Sequence, residues 1–181
     1  PGFDIHGGGD DLCFPHHQNE WAQVTAMGQQ FARHWVHSAM VNVAGEKMSK
    51  SLGNFTNLAE AIDTAGPRAL RLLALQTHYR RAMEMGRDAL MAADAAVNRL
   101  DTFHRRMVTA DVDLNDGDLD EASIAAFRSA MDDDFSTPTA LDNAFSLIRN
   151  ANIDLDNSDL SAAGVKGRTA VEMFSVLGID I

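Results

Sequence analysis

Trp35-Val36-His37-Ser38-Ala39-Met40-Val41-Asn42-Val43-Ala44-Gly45-Glu46-Lys47-Met48-Ser49-Lys50-Ser51-Leu52-Gly53-Asn54 is the stretch that divides the chain. Its first ten residues alternate and are rich in β-branched and aromatic side chains, which predicts a strand over 35–44. Gly45 breaks that strand and a polar loop follows. Upstream, Phe3-Asp4-Ile5 reads as a strand running into the turn His6-Gly7-Gly8-Gly9. Pro15 predicts the first turn of a helix reaching about residue 30, because the N–H that proline lacks has no partner there in any case. Downstream of Asn57 the pattern is helical. Helices are predicted over 58–64, 68–78 (entered through Pro67), 86–107, 122–133, 137–151 and about 158–177. Leu90, Val97, Leu100, Phe103 and Met107 mark one face of the longest. Ser136 or Thr137 is the expected cap before Pro138. Residues 110–120, with Asn115-Asp116-Gly117, read as a loop.

The organisation is therefore lopsided: an α/β piece over 1–56, a helical region over 57–109 and an acidic helical bundle over 110–181, predominantly α in all. The first piece holds too few strands to close a doubly wound sheet. The missing strands are expected upstream, and a chain opening on Pro1 without an initiator Met reads as a fragment.

Composition narrows the function classes. A hydrophobic fraction of 45% with 23% charged residues is that of a soluble globular protein, and no apolar run reaches membrane-spanning length. The single cysteine, Cys13, excludes an internal disulfide and favours a cytoplasmic setting; between Leu12 and Phe14 it reads as a small buried hydrophobe. The net charge of −11 resides in residues 111–181, which hold 15 acids against 4 bases. Such a tail attracts nucleic acid poorly. Residues 68–106 are locally basic, a pattern that suits phosphates or simply a solvated helix face.

Three constellations carry chemistry. Lys47 and Lys50, three apart on a polar loop, can set two ammonium charges against neighbouring phosphate oxygens and stabilise a departing pyrophosphate. The glycines of His6-Gly7-Gly8-Gly9-Asp10-Asp11 allow close backbone approach to a nucleotide, and a carboxylate there can accept from both ribose hydroxyls. In Phe14-Pro15-His16-His17-Gln18-Asn19-Glu20, His16 and Glu20 are i and i+4 on a helix. Imidazole and carboxylate on one face make half of a tetrahedral zinc site, and equally suit a polar helix start.

The full string KMSKS matches the signature loop of the class I aminoacyl-tRNA synthetases. With it, DIHGGGDDL resembles the DIHGGGxDL element of the cysteinyl-tRNA synthetase family, and FPHHQNE resembles that family's FPHHENE, Gln18 being the departure. His78-Tyr79-Arg80 and the 130–138 segment AMDDDFSTP follow in the family's order. The resemblance implies a Rossmann-like catalytic remnant followed by a helical stem-contact region and bundle. It implies ATP binding, with Mg2+, through Gly8, Gly9, Asp11 (ribose), Met48 (adenine, by its backbone), Lys47 and Lys50, the lysines being catalytic. It implies a cysteine pocket shaped by His6, and Zn2+ on His16 and Glu20 with cysteine ligands expected upstream. The HIGH-type motif also belongs upstream, so this fragment alone is expected to be inactive. The implied partners are cysteine, ATP, tRNA(Cys) and the upstream part of the same polypeptide. The mycothiol cysteine ligase family, which joins cysteine to a glucosaminyl-inositol, is the related alternative, and a truncated non-catalytic binding module is the other.

Overall fold

The computed structural model describes residues 2–43, 45–48 and 57–181. Its elements run β1 (Phe3–Gly9), α1 (Gln18–Ala26), β2 (Ala32–Ser38), β3 (Val41–Val43), β4 (Glu46–Lys47), α2 (Leu58–Leu75), β5 (Met83–Glu84), α3 (Arg87–Thr109), α4 (Glu121–Asp132), α5 (Thr137–Asp156) and α6 (Leu160–Val176). They form two compact units, residues 1–55 with 79–84 and residues 56–78 with 85–181. The α/β start and the helical remainder agree with the sequence reading.

In the first unit β1 and β2 pair in parallel, with Ile5 opposite His34, His6 opposite Trp35 and Gly8 opposite His37. α1 is the crossover that a parallel pair requires. It starts at Gln18, later than expected. Phe14 is extended (φ −137°, ψ 135°), the conformation favoured before a proline, so the chain enters the helix only beyond a 3-10 turn at Asp10–Leu12 and a π-type turn at Cys13–His17. Gly28, at φ +70°, closes the other end.

The strand expected over 35–44 is two strands. At Ala39 and Met40 the chain leaves β1 and turns to residues 79–84: Ala39 N–H donates to the Tyr79 carbonyl (2.8 Å) and Met83 N–H to that of Met40 (3.0 Å). β3 then pairs antiparallel with β4 and parallel with β5. Cys13 is exposed, contrary to the buried position expected, because it lies in the turn between β1 and α1 rather than under a sheet face.

The second unit carries the hydrophobic core. α2 packs on α3, α5 on α6, and α4 against α5. Phe103, Phe174, Leu72, Leu100, Met107, Met173 and Ile179 are fully buried between them, each contributing roughly 1.5–3 kcal/mol. On α6, a Cβ at Gly167 would meet Met107 Cε at 2.6 Å and Leu114 Cδ2 at 2.9 Å, so the glycine lets those side chains pack close to the helix. The two helices predicted over 58–64 and 68–78 are the halves of α2, separated at Gly66 (φ +79°) before Pro67. Asn57 caps α2 in a reciprocal box with Glu60.

Asp120 caps α4, accepting from the Ala122 and Ser123 N–H groups. The 110–120 loop is tied to α6 by Arg168, whose guanidinium donates to the carbonyls of Asp113 (2.9 Å) and Asp118 (3.1 Å). Between α4 and α5, Asp134 and Phe135 both adopt left-handed φ, 53° and 54°. Ser136 precedes α5, but its hydroxyl bonds Thr139 Oγ1 (2.9 Å) rather than capping the backbone. No helix among the described residues is long and apolar enough to cross a membrane.

Candidate functional site

The histidines of β1, α1 and β2 converge on one face of the parallel pair. By alternation His6 and Gly8 of β1 share a face with Trp35 and His37 of β2. His17, at the entrance to α1, lies against that face with 4% of its surface exposed. Its ring meets His6 edge-on at 4.6 Å and Trp35 at 5.3 Å. His17 Nδ1 and His37 Nε2 share a hydrogen bond of 2.8 Å. A Cβ on Gly8 would come within 2.7 Å of His17 Cε1, so the bare backbone at this position is what admits the imidazole.

Glu20, one turn into α1, joins the cluster through both oxygens. Oε2 accepts from His6 Nε2 at 3.0 Å, and Oε1 lies 3.4 Å from His16 Nε2. One ligand atom each from His6, His17 and Glu20 lies within 4.8 Å of the others, the spacing of donors around a metal ion. His16 stands on the outer side with 59% of its side chain exposed. Burial, then the neighbouring imidazoles of His6 and His37, hold His17 below the ordinary imidazole value of 6.5, which favours its neutral form. A neutral imidazole keeps a lone pair for a metal or a hydrogen-bond donor. Two imidazoles and a carboxylate are a nitrogen and oxygen donor set compatible with zinc. Beside the cluster, Cys13, His17, Gln18, Trp21, Trp35 and His37 line a cavity of about 320 Å3.

His6-Gly7-Gly8-Gly9, expected as a turn, instead continues β1, because each of the four pairs in register with β2, and its last glycine has a second steric role. A Cβ on Gly9 would meet Asp11 Oδ1 at 2.7 Å, so the Asp11 carboxylate folds back over the end of β1. In an open parallel sheet the carboxyl ends of the strands are where ligands bind. Met48 anchors the start of the lysine loop, its N–H donating to the Val41 carbonyl at 2.9 Å. Lys47 ends β4; its side chain, and Lys50 with residues 49–56, lie outside the described residues.

Sequence reasoning singled out His6, Gly8, Gly9, Asp11, His16 and Glu20, and the structure gathers them at the β1–α1 junction. It missed His17, Trp35 and His37. The His16-His17 doublet carried a usable signal, since adjacent helical residues point about 100° apart and only one can face the sheet.

Comparison with known proteins defines the class first. Residues 1–95 match the model for the catalytic domain of the class I (C) tRNA synthetases, and the chain belongs to that family; residues 126–181 match the DALR domain. More narrowly, the chain is 42% identical to the Cysteine--tRNA ligase of Paenarthrobacter aurescens, over 99% of this chain and 37% of that protein. It is 43% identical to that of Micrococcus luteus, over 98% of this chain and 37% of that one. The chain thus spans less than two-fifths of the length of these curated relatives. Among solved structures it is similar to the ternary complex of Agrobacterium radiobacter K84 LeuRS with tRNA and LeuAMS, at TM-score 0.76, 15% identity, 97% of this chain and 27% of that one. It is also similar to Mycobacterium tuberculosis methionyl-tRNA synthetase with methionyl-adenylate, at TM-score 0.67, 18% identity, 97% of this chain and 40% of that one. At those identities the likeness is one of fold.

Proposed function

We propose that this chain is the part of a cysteine–tRNA ligase that shapes the cysteine pocket and carries the lysine loop. In the complete enzyme the carboxylate of cysteine attacks the α-phosphate of ATP, giving cysteinyl-adenylate and pyrophosphate, and the cysteinyl group then passes to the 3′ end of tRNA(Cys). The observation that carries this reading is Glu20, held between His6 and His16 beside buried His17 at the β1–α1 junction. The 42–43% identity to Cysteine--tRNA ligases along almost the whole chain supports it.

In this reading His16 and Glu20 would hold zinc, whose preference for soft sulfur donors would favour cysteine over serine. His6 orients Glu20 through its hydrogen bond and, with neutral His17, lines the floor of the cysteine pocket. Gly8 and Gly9 bring the β1 backbone to the nucleotide and Asp11 holds the ribose. Met48 meets the adenine by its backbone, and Lys47 and Lys50 neutralise the Mg2+-bound triphosphate as pyrophosphate leaves. Residues 57–109 serve as the stem-contact region and 110–181 as the acidic bundle, in an enzyme of the cytoplasm.

The test is cysteine-dependent exchange of pyrophosphate into ATP, with zinc, using this chain joined to the remaining catalytic-domain residues of a relative. Exchange with cysteine and not serine, followed by charging of tRNA(Cys), is expected. Exchange without tRNA charging, but with transfer to glucosaminyl-inositol, would reassign the acceptor. No exchange at all would sink the reading.

A further inference from the structure

Where α3 ends against the turn from α5 to α6, a cavity of about 550 Å3 opens among Thr102, Arg105, Arg106, Leu155, Ser158 and Leu160. All six belong to the helical unit, and none takes part in the chemistry proposed above. The segment around them is acidic, yet its nearby acids are turned to other partners. Asp154 pairs with Lys166, Asp156 pairs with Arg106, and Asp159 accepts from the Ala162 N–H to cap α6. Arg106 is thus engaged within the bundle, through Asp156 and Asn152. Arg105 is not. Its Nη2 donates to Thr102 Oγ1 at 2.9 Å, and it forms no ion pair among the described residues. Thr102 itself donates to the Asn98 carbonyl (2.8 Å), so its oxygen is set to accept and orients the guanidinium without neutralising it. Ser158 holds a left-handed φ of 63°, strained for any residue but glycine, and its hydroxyl has no hydrogen-bond partner among the described residues. Beside these polar groups stand half-buried Leu155 and exposed Leu160.

We propose that this cavity binds a small phosphate monoester with an apolar or aromatic body. The planar guanidinium of Arg105 keeps its charge at any physiological pH and matches phosphate oxygens through parallel N–H donors. A phosphate presents three such oxygens, so the guanidinium and the Ser158 hydroxyl can be met together. Leu155 and Leu160 supply the dry wall for the rest of the ligand. An apolar lining with a few convergent polar groups is the ordinary make-up of a small-molecule site, and the volume falls within the usual range. A long polyanion fits less well. Its further phosphates would face residues 111–181, which hold 15 acids against 4 bases. A compact phosphate needs only the local charge of Arg105, because salt screens more distant charges beyond about 10 Å. The site is built entirely within the second unit, so it stands whether or not the chain serves in cysteine activation.

The experiment titrates the 181-residue chain with phenyl phosphate, followed by calorimetry and by amide NMR shifts, with inorganic phosphate and phenol as comparison probes. One saturable site is expected, with shifts concentrated in residues 102–110 and 155–160. Arg105→Gln should weaken binding by about tenfold or more and Ser158→Gly by about threefold. Arg128→Ala, exposed on α4, should leave it unchanged. Circular dichroism checks that each variant is folded. Should Arg105→Gln fail that check, Leu160→Glu replaces it, since an acid suits the first turn of α6 and sets a negative charge against the phosphate. Inorganic phosphate bound as tightly as phenyl phosphate would mean an idle apolar wall and an adventitious ion only, which overturns the proposal. An RNA hairpin that shifts the same amides while phenyl phosphate does not would assign the surface to nucleic acid and overturn it equally. So would the absence of saturable binding, or full affinity in the folded variant at position 105 or 160.

Discussion

Glu20 offers its two oxygens in opposite directions, Oε2 to His6 on the sheet and Oε1 to His16 on its own helix. That division depends on His17 filling the space between helix and strand, and His17 depends in turn on Gly8 having no side chain. The two neighbouring glycines are therefore unequal. A methyl at Gly8 collides with the imidazole at 2.7 Å, whereas one at Gly7 meets only the Val36 carbonyl at 3.6 Å. Gly8→Ala should lower cysteine-dependent pyrophosphate exchange in the complete enzyme by about tenfold or more, the usual effect of disturbing groups that orient ligands. Gly7→Ala should stay near the parent rate. Equal losses from both would show that the end of β1 needs glycine for the backbone's own sake and not for the histidine.

At the scale of elements, the caps are where side-chain chemistry sets the ends of the helices. Asp120 accepts from the Ala122 and Ser123 amides and from the Ser123 hydroxyl. The hydroxyl bond first, then those amides and the charge of Lys166, hold its carboxyl below the ordinary aspartate value of 3.8 against the cost of partial burial. A carboxyl depressed in the folded state adds stability above its unfolded value and loses it as pH falls through the folded one. Asp120→Ala should thus cost about 1 kcal/mol in urea unfolding at neutral pH. The gap to the parent should close as pH drops well below 3.8. A gap that persists unchanged in acid would assign the loss to packing.

For the whole molecule, the uneven distribution of buried side chains among the described residues predicts that the two units unfold separately. Both tryptophans, Trp21 and Trp35, lie in the first unit, while the longest helices lie in the second. Tryptophan fluorescence then reports the α/β unit and far-ultraviolet circular dichroism chiefly the helical one. Phe103→Ala, which empties a fully buried position on α3, should destabilise the helical transition by about 3–5 kcal/mol. The fluorescence transition should move little, and in the parent it should come first. Coincident transitions that shift together would instead mean a single cooperative block.

Much of this was legible beforehand. Hydrophobic period and turn residues located the helices of the described residues, though α2 was read as two, and the start of the first strand, because those signals act over a few residues. The resemblance of DIHGGGDDL and FPHHQNE to a known family singled out His6, Gly8, Gly9, Asp11, His16 and Glu20, which lie together at the β1–α1 junction. What sequence could not supply came from partners distant in the chain. The 35–44 stretch splits because Ala39 and Met40 bond to residues 79–84. Cys13 is exposed because, among the described residues, no layer covers its turn, although its flanks are apolar. The choice of His17 over His16 as the buried imidazole was decided by which side of α1 faces β1 and β2, a matter of tertiary packing that local sequence, equal for the two histidines, does not encode.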